Sequence, residues 1–202
     1  MELVSEVVSC RLDVAPVHAE PDAASEQVTQ ALRGEPLTVE ERRNGWARVR
    51  TAYDYPGWIA QDALSQVQGS DPGTWLREPR PDGDPVEEAR AYLGTRYLWG
   101  GMTAHGIDCS GLVHMSYRAL GRLVPRDADQ QEDAGAPVTE DDLRPGDLIS
   151  YGNDEVSHAT HVAFWLGDGR ILHSTERDDA NGVLEEAEPN DLRARRRKLF
   201  RL

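Results

Sequence analysis

The stretch HVAFWLGDGRILHS, residues 161–174, carries the clearest structural signal in the chain. Its two halves are rich in β-branched, aromatic and other apolar residues, which is typical of strands. The GDG sequence between them, at 167–169, predicts a tight hairpin turn. A hairpin that turns there places positions 163 and 173 opposite each other. His161 and His173 then become diagonal neighbours on one face of the sheet.

A second signal lies upstream, in the stretch DCSGLV at 108–113. Apolar side chains at 112, 113, 117 and 120 fit one face of a helix that begins near Cys109, and Gly121 fits a C-cap. A thiol in the first helical turn lies at the positive end of the helix dipole, which predicts a lowered pKa and a reactive thiolate. Cys109 is therefore a candidate nucleophile.

The second half of the sequence predicts a further helix and further strands around these two segments. Residues 86–93 are predicted to form a helix between Pro85 and Gly94. Residues 147–151 are predicted as a further strand. The arginine-rich segment 193–201 is predicted as a last strand with solvated arginines, with an anion-binding tail as the alternative. Together these elements predict an α+β domain in which a helix packs on an antiparallel sheet.

The first half has a different character. Short β-like runs alternate with turn residues, and their spacing of about ten residues predicts a small β-barrel; the runs lie at 14–17, 27–32, 36–39, 46–50 and 57–59. A stretch rich in proline and glycine follows, which cannot continue a helix or a central strand. We therefore expect a barrel domain at 1–70, a linker at 71–85 and a second domain at 86–202.

Composition limits the partners and the compartment. The 202 residues include 36 acidic and 22 basic side chains, for a formal net charge of −14. Nucleic acids and anionic membranes need a cationic face, so neither is expected as a partner. The first residues lack the pattern of a secretory signal, and no apolar stretch is long enough to span a membrane. We expect a cytoplasmic monomer in which Cys10 and Cys109 are free thiols.

Each chemical interpretation has an alternative. A cysteine is often a small buried hydrophobic residue, an interpretation that suffices for Cys10. His158, expected in the loop before the strand, competes with His161 for the role of base. A metal site built from His158, His161, His173 and Cys109 lacks a recognised ligand spacing. The residues favour a cysteine nucleophile served by two histidines, one as base and one to orient it, without metal or organic cofactor.

A family resemblance adds to this reading. Residues 86–202 resemble the NlpC/P60 family of papain-like cysteine peptidases. The resemblance rests on six motifs in order: YLWGG at 97–101, DCSGLV at 108–113, PRDADQQ at 125–131, LRPGDL at 143–148, HVAFWLG at 161–167 and ILHS at 171–174. The first 70 residues resemble a bacterial SH3 domain through Gly45-Trp46 and Gly57-Trp58-Ile59. The implied fold is a papain-like α+β domain preceded by a small SH3-like β-barrel.

The resemblance implies a role for each candidate residue. Cys109 would be the nucleophile, His161 the general base and His173 the orienting third residue. Tyr97 corresponds to an active-site tyrosine that helps the Cys109 backbone N–H hold the developing oxyanion. Trp99, in the same motif, is expected to pack in the core.

The family cleaves peptidoglycan stem peptides, commonly after γ-D-glutamate. Members with an SH3 domain resemble γ-D-glutamyl-L-diamino acid endopeptidases, which act on murein peptides with a free N-terminal L-alanine. Asp108 and Ser110 match residues assigned to that amine, and Glu20 and Tyr55 are the candidates from the SH3 domain. A buried ammonium needs such carboxylate partners. The implied role is murein peptide recycling; the alternatives are a secreted or exported wall hydrolase and a non-enzymatic wall-peptide binding module.

Overall fold

The computed structural model describes residues 6–66, 75–153 and 156–202 and divides the chain into two compact units, Met1–Glu78 and Pro79–Leu202. Residues 67–70 of the predicted barrel domain and 71–74 of the predicted linker lie outside the described residues. The end of the predicted linker, Pro85, is already the first residue of a helix.

The N-terminal unit is one curled antiparallel sheet. Seven strands follow each other along the chain: β1 (Glu6–Cys10), β2 (Val14–His18), β3 (Gln27–Leu32), β4 (Pro36–Arg43), β5 (Trp46–Thr51), β6 (Pro56–Ala60) and β7 (Leu64–Gln66). Their spatial order is β3-β2-β6-β5-β4-β1-β7. Side chains alternate between the two faces, so that Ala47 and Val49 of β5 are buried while Arg48 points outward. All five predicted strands are present; along the chain, β1 precedes them and β7 follows them.

The C-terminal unit combines helices with a larger sheet. The helices are α1 (Pro85–Arg90), α2 (Cys109–Ala119), α3 (Ala128–Ala134) and α4 (Asn190–Arg193). The strands are β8 (Met102–Thr103), β9 (Gly106–Ile107), β10 (Ala136–Pro137), β11 (Leu148–Asn153), β12 (Val156–Gly167), β13 (Arg170–Arg177), β14 (Ala180–Ala187) and β15 (Arg196–Arg201). Six of them form an antiparallel sheet in the order β10-β15-β11-β12-β13-β14, and β8 pairs with β9.

Helices α1, α2 and α3 cover one face of this six-stranded sheet, and Leu192 of α4 packs against the other. The apolar face of α2 is buried as predicted, with Leu112, Val113 and Tyr117 packed against strand residues such as Phe164 and Leu172. Burial of side chains of this size contributes about 1.5–3 kcal/mol each. The helix ends at the predicted cap, because Gly121 adopts the left-handed backbone conformation (φ +73°). The sequence thus predicted both the packed face and the end of the helix that carries Cys109.

The central hairpin has the predicted register. Phe164 pairs with Leu172 and Trp165 with Ile171, which is the alignment expected from a turn at 167–169. Asp168 and Gly169 both have positive φ angles (49° and 72°), as a two-residue type I′ turn requires. The faces of β12 and β13 are therefore fixed by the turn, and with them the positions of the two histidines.

Three details differ from the sequence-based expectations. His158 lies within β12 and is exposed, because that strand begins at Val156 rather than near His161. The first helix ends at Arg90, since its last turn tightens to bonds between residues three apart, such as Tyr92 N–H to the Ala89 carbonyl. Strand β14, which no sequence pattern had indicated, forms an edge of the sheet.

The arginine-rich strand at the C-terminal end, β15, is confirmed, but its side chains are not simply solvated. Arg196 donates to both carboxylate oxygens of Glu188 through its Nε and Nη2 atoms, and Arg201 binds Asp147 at 2.6 and 2.7 Å. Arg197 lies 3.2 Å from a carboxylate oxygen of Glu132. These ion pairs favour a structural role for the segment over an anion-binding tail. Among the described residues, no helix is long and apolar enough to cross a membrane.

Candidate active site

Helix α2 places Cys109 at its first position. Asp108 is the N-cap, and its Oδ1 accepts a hydrogen bond from the Gly111 N–H at 2.6 Å. Only 6% of Cys109 is exposed. The thiol therefore lies at the helix N-terminus, as the sequence predicted, but inside the protein rather than in solvent.

Burial decides the protonation state of the thiol. Desolvation raises the pKa of Cys109 to about 12, and the neighbouring Asp108 carboxylate acts in the same direction. The backbone N–H groups of Val162 and Ser110 and the charge of Arg126 oppose this rise without offsetting it. The prediction of a lowered pKa from the helix dipole is wrong for the resting structure. Cys109 rests as a thiol and needs a base to become a nucleophile.

His161 stays the predicted base. The thiol contacts the backbone N–H of Val162, the residue next to His161 along β12. Burial and the neighbouring His173 hold the pKa of His161 well below its ordinary value, so its ring is neutral near pH 7. A neutral imidazole is the form that can accept a proton. The free site thus pairs a neutral thiol with a neutral base.

The two predicted histidines contact each other directly. His161 Nε2 and His173 Nδ1 are 2.8 Å apart, and the rings meet edge to face. The ring of Tyr151 packs on the other side of His161, with centroids 5.7 Å apart. The diagonal arrangement expected from the hairpin is therefore present, and it fixes the orientation of the His161 ring.

Sequence reasoning missed two residues behind His173. Glu186 Oε1 lies 2.8 Å from His173 Nε2, and Arg177 binds both oxygens of Glu186 at 2.7 and 3.0 Å. Glu186 stands on β14, two residues beyond Leu184, the direct partner of His173, and therefore shares its face. Once β14 had been recognised, the same diagonal rule that linked the histidines would have found Glu186.

Tyr97 lies beside the nucleophile. Burial raises its pKa, and the nearby Cys109, Asp108 and Glu176 act in the same direction, so its hydroxyl keeps its proton and can donate it in a hydrogen bond. Asn181 Oδ1 accepts from the Tyr97 backbone N–H at 3.1 Å. Gly182 lets β14 approach residue 95 so closely that a Cβ there would overlap the Thr95 carbonyl oxygen. This close approach positions Tyr97.

A cleft opens at this point. Its volume is about 480 Å³, and its lining includes His161, Arg177 and the aromatic pair Tyr97 and Trp99. Trp99 is 56% exposed, so its predicted place in the core is wrong: the residue belongs to the cleft wall. Among the residues that the structure describes, no group of three or more His, Cys, Asp or Glu side chains is arranged to hold a metal ion.

Asp108 and Ser110, the residues matched to the substrate amine, belong to a buried ion-pair network. Arg126 donates to both oxygens of Asp108, at 3.0 and 2.6 Å, and to Ser110 Oγ at 2.9 Å. The Gly100 N–H also donates to Asp108 Oδ2 at 2.8 Å. Sequence reasoning assigned no role to Arg126, although its motif had been singled out. The amine-binding role of Asp108 and Ser110 stays a prediction.

Glu20 and Tyr55 lie in the N-terminal unit. Glu20 is exposed and follows β2, and Tyr55 is half-buried directly before β6, with its ring 6.4 Å from that of Tyr53. Their part in substrate binding also stays a prediction.

Two family models match along the chain. Residues 94–188 match the model of the NlpC/P60 family, and residues 17–64 match the model of the bacterial dipeptidyl-peptidase SH3 domain. Among solved structures, an NlpC/P60 family protein from Bacillus cereus ATCC 10987 is similar over 98% of this chain and 63% of its own, with a TM-score of 0.56 and 23% identity. That likeness concerns the fold.

Two curated relatives are named γ-D-glutamyl-L-lysine dipeptidyl-peptidase. The protein from Bacillus subtilis (strain 168) is 33% identical over 152 residues, which cover 74% of this chain and 47% of the relative. The protein from Bacillus cereus is 25% identical, over 75% of this chain and 68% of the relative. The chain thus spans about half the length of the first relative and about two thirds of the second.

Proposed function

From the premise that this chain belongs to the NlpC/P60 family and carries an N-terminal bacterial SH3 domain, we propose that it is a cysteine endopeptidase. Its substrates are murein stem peptides with a free N-terminal L-alanine, and it hydrolyses the bond between γ-D-glutamate and the diamino acid. The observation that carries the proposal is a thiol at a helix N-terminus that contacts the backbone N–H of Val162, the residue next to a neutral histidine that is held by a second one. The names of the two relatives support the choice of bond.

The first half of the reaction forms a thioester. The thiol proton moves to His161 as Cys109 Sγ attacks the γ-glutamyl carbonyl carbon. The hydroxyl of Tyr97 and the Cys109 backbone N–H donate to the developing oxyanion; one such donor is worth about 2.7–4 kcal/mol. His161 then gives its proton to the amine of the diamino acid, the C–N bond breaks, and the glutamyl group stays on Cys109.

The second half releases the acid. His161 accepts a proton from water, the resulting hydroxide attacks the thioester carbonyl, and Cys109 leaves as its thiol after the proton returns. Because the free site holds a neutral thiol and a neutral imidazole, charge separation arises only during attack. Binding of the substrate in the cleft excludes water and strengthens the polar contacts that stabilise this charge.

The proposal includes a role in recycling. A requirement for a free alanine amine would restrict the enzyme to peptides already released from the glycan, because the stem peptides of intact wall are blocked at that amine. Such a restriction fits a cytoplasmic enzyme that degrades turned-over murein peptides.

One experiment tests the activity and the specificity together. The protein is incubated with L-Ala-γ-D-Glu-meso-diaminopimelate, its lysine counterpart and the N-acetylated form of each, and products are identified by mass spectrometry, with Cys109→Ala as the control. Release of L-Ala-γ-D-Glu from free peptides only is the expected result. Cleavage of the acetylated peptides as well would replace recycling by general wall hydrolysis. Absence of cleavage, or full turnover by Cys109→Ala, would refute the proposed mechanism.

A further inference from the structure

The charge pair Glu186 and Arg177, on the far side of His173, has no part in the mechanism described so far. We propose that Glu186, held by Arg177, sets the proton positions along the two histidines, so that His161 presents a bare Nδ1 to Cys109. This inference rests on the proposed function and adds two positioning residues to it.

The first step concerns His173. Burial alone would raise the pKa of Glu186, but the hydrogen bonds from Arg177 and His173 hold this pKa below its ordinary value. The carboxylate is therefore ionised and only accepts hydrogen bonds. Glu186 Oε1 lies 2.8 Å from His173 Nε2, which must therefore carry the proton. Burial keeps the pKa of His173 below its ordinary value, so the ring holds one proton and its Nδ1 is bare.

The second step concerns His161, whose proton position follows from that of His173. Its Nε2 lies 2.8 Å from the bare Nδ1 of His173, so the proton between the two rings belongs to His161 Nε2. His161 is also neutral, and its remaining nitrogen, Nδ1, has no proton. That nitrogen is the one left to reach the thiol. The carboxylate on β14 thus determines, across two rings, whether His161 is a base or a donor toward Cys109.

Arg177 completes the arrangement. It binds Glu186 through two hydrogen bonds, and the side chain of Glu186 is only 21% exposed. Glu186 favours a second proton on His173, but burial outweighs this effect and the charge of Arg177 opposes it, so His173 keeps a single proton. The other charged group that acts on His161 is Arg195, in the cleft lining. Without Arg177, Glu186 would take up a proton at higher pH and could then donate to His173.

The test uses two measurements that need no substrate. ¹⁵N chemical shifts of the histidine rings report which nitrogen carries the proton, and the rate of Cys109 alkylation by iodoacetamide reports proton transfer from the thiol. In the wild-type protein both His161 and His173 are expected as Nε2–H tautomers. A wild-type His173 protonated at Nδ1 would overturn the inference without any variant.

The decisive variant is Glu186→Gln, because its amide N–H can donate to His173 Nε2. The direction of both hydrogen bonds, from residue 186 to His173 and from His173 to His161, would then be reversed. We expect loss of the Nε2–H preference on both rings and alkylation about 10- to 100-fold slower, by analogy with the loss of hydrogen-bond partners of metal-binding histidines. Glu185→Gln is the matched control, since Glu185 is the adjacent residue and binds Arg90 and Arg170 at the surface; its rate should stay within about twofold of the wild type. Unchanged tautomers and rates in Glu186→Gln would refute the inference.

Arg177 is tested through the pH profile. Arg177→Met is expected to move the acid limb of the alkylation profile to higher pH, because both Glu186 and the histidines then protonate more readily. Arg177→Lys, which keeps the charge, should restore part of the shift, whereas a purely structural role would leave the profile in place. A wild-type protein that shows these tautomers but cleaves no murein peptide would refute the proposed function and leave the inference standing.

Discussion

Replacement of Arg126 by methionine is expected to destabilise the C-terminal unit severely. The side chains of Arg126 and Asp108 are only 1% and 7% exposed and meet at 2.6 Å. Removal of one partner from a buried ion pair leaves the other charge uncompensated and costs about 3–5 kcal/mol. Domains are commonly stable by about 5–15 kcal/mol, so the loss is a large fraction of the total. With a urea dependence of about 2 kcal/mol per molar, the unfolding midpoint should fall by about 2 M.

The two cysteines provide the assay. Cys10 is buried in the N-terminal unit and Cys109 in the C-terminal unit, and both are free. Brief pulses of iodoacetamide along a urea titration, followed by mass spectrometry of the two cysteine peptides, give an unfolding curve for each unit. The Cys109 curve should shift in Arg126→Met.

Two further variants decide whether the lost charge pair is the cause. Asp108→Asn in the Arg126→Met background removes the stranded charge and retains an oxygen to cap α2, so the double variant should be more stable than Arg126→Met alone. Arg90→Met removes an ion pair of the same length, 2.6 Å between Arg90 and Glu185, but at the surface: the two side chains are 40% and 24% exposed. This variant should lower the free energy of unfolding by at most about 1 kcal/mol. A loss below about 1 kcal/mol in Arg126→Met would refute the reasoning.

Three other predictions concern the reaction. Tyr97→Phe should lower kcat about 100-fold or more with little change in KM, because the donated hydrogen bond forms only as the oxyanion develops; an unchanged kcat in steady-state assays would contradict this. Gly182→Ala should lower both the melting temperature and kcat, since its Cβ would push against Thr95 and displace Tyr97. The acid limb of kcat/KM should lie below pH 6.5, because activity needs neutral His161 and its lowered pKa delays protonation as the pH falls; half-maximal activity at or above pH 6.5 would contradict this.

The sequence predicted what depends on local pattern. The register of the His161–His173 pair follows from a period of two and from a turn whose geometry is set by Asp168 and Gly169. The buried face of α2 follows in the same way from helical spacing. Each signal is contained in a short stretch of the chain, so no knowledge of distant contacts was needed.

Features that depend on distant packing could not be predicted in this way. The pKa of Cys109 is raised chiefly by desolvation, which depends on how completely the folded chain surrounds the thiol. Strand β14 carries only a short apolar run, Val183 and Leu184, so its pairing and the contact of Glu186 with His173 were not apparent. Trp99 illustrates the reverse error, because an aromatic residue in a motif was assigned to the core although it lines the cleft.

The buried, protonated state of Cys109 also affects how the protein tolerates oxidants. Peroxide attacks thiolates, and the first product, a sulfenic acid, forms in proportion to thiolate content and solvent access. Many cysteine enzymes hold a permanently ionised sulfur and lose it in this way. Here the sulfur is 6% exposed and its pKa is about 12, so both conditions are unfavourable in the free protein. The free protein should therefore withstand oxidative conditions that inactivate cysteine enzymes with a preformed thiolate.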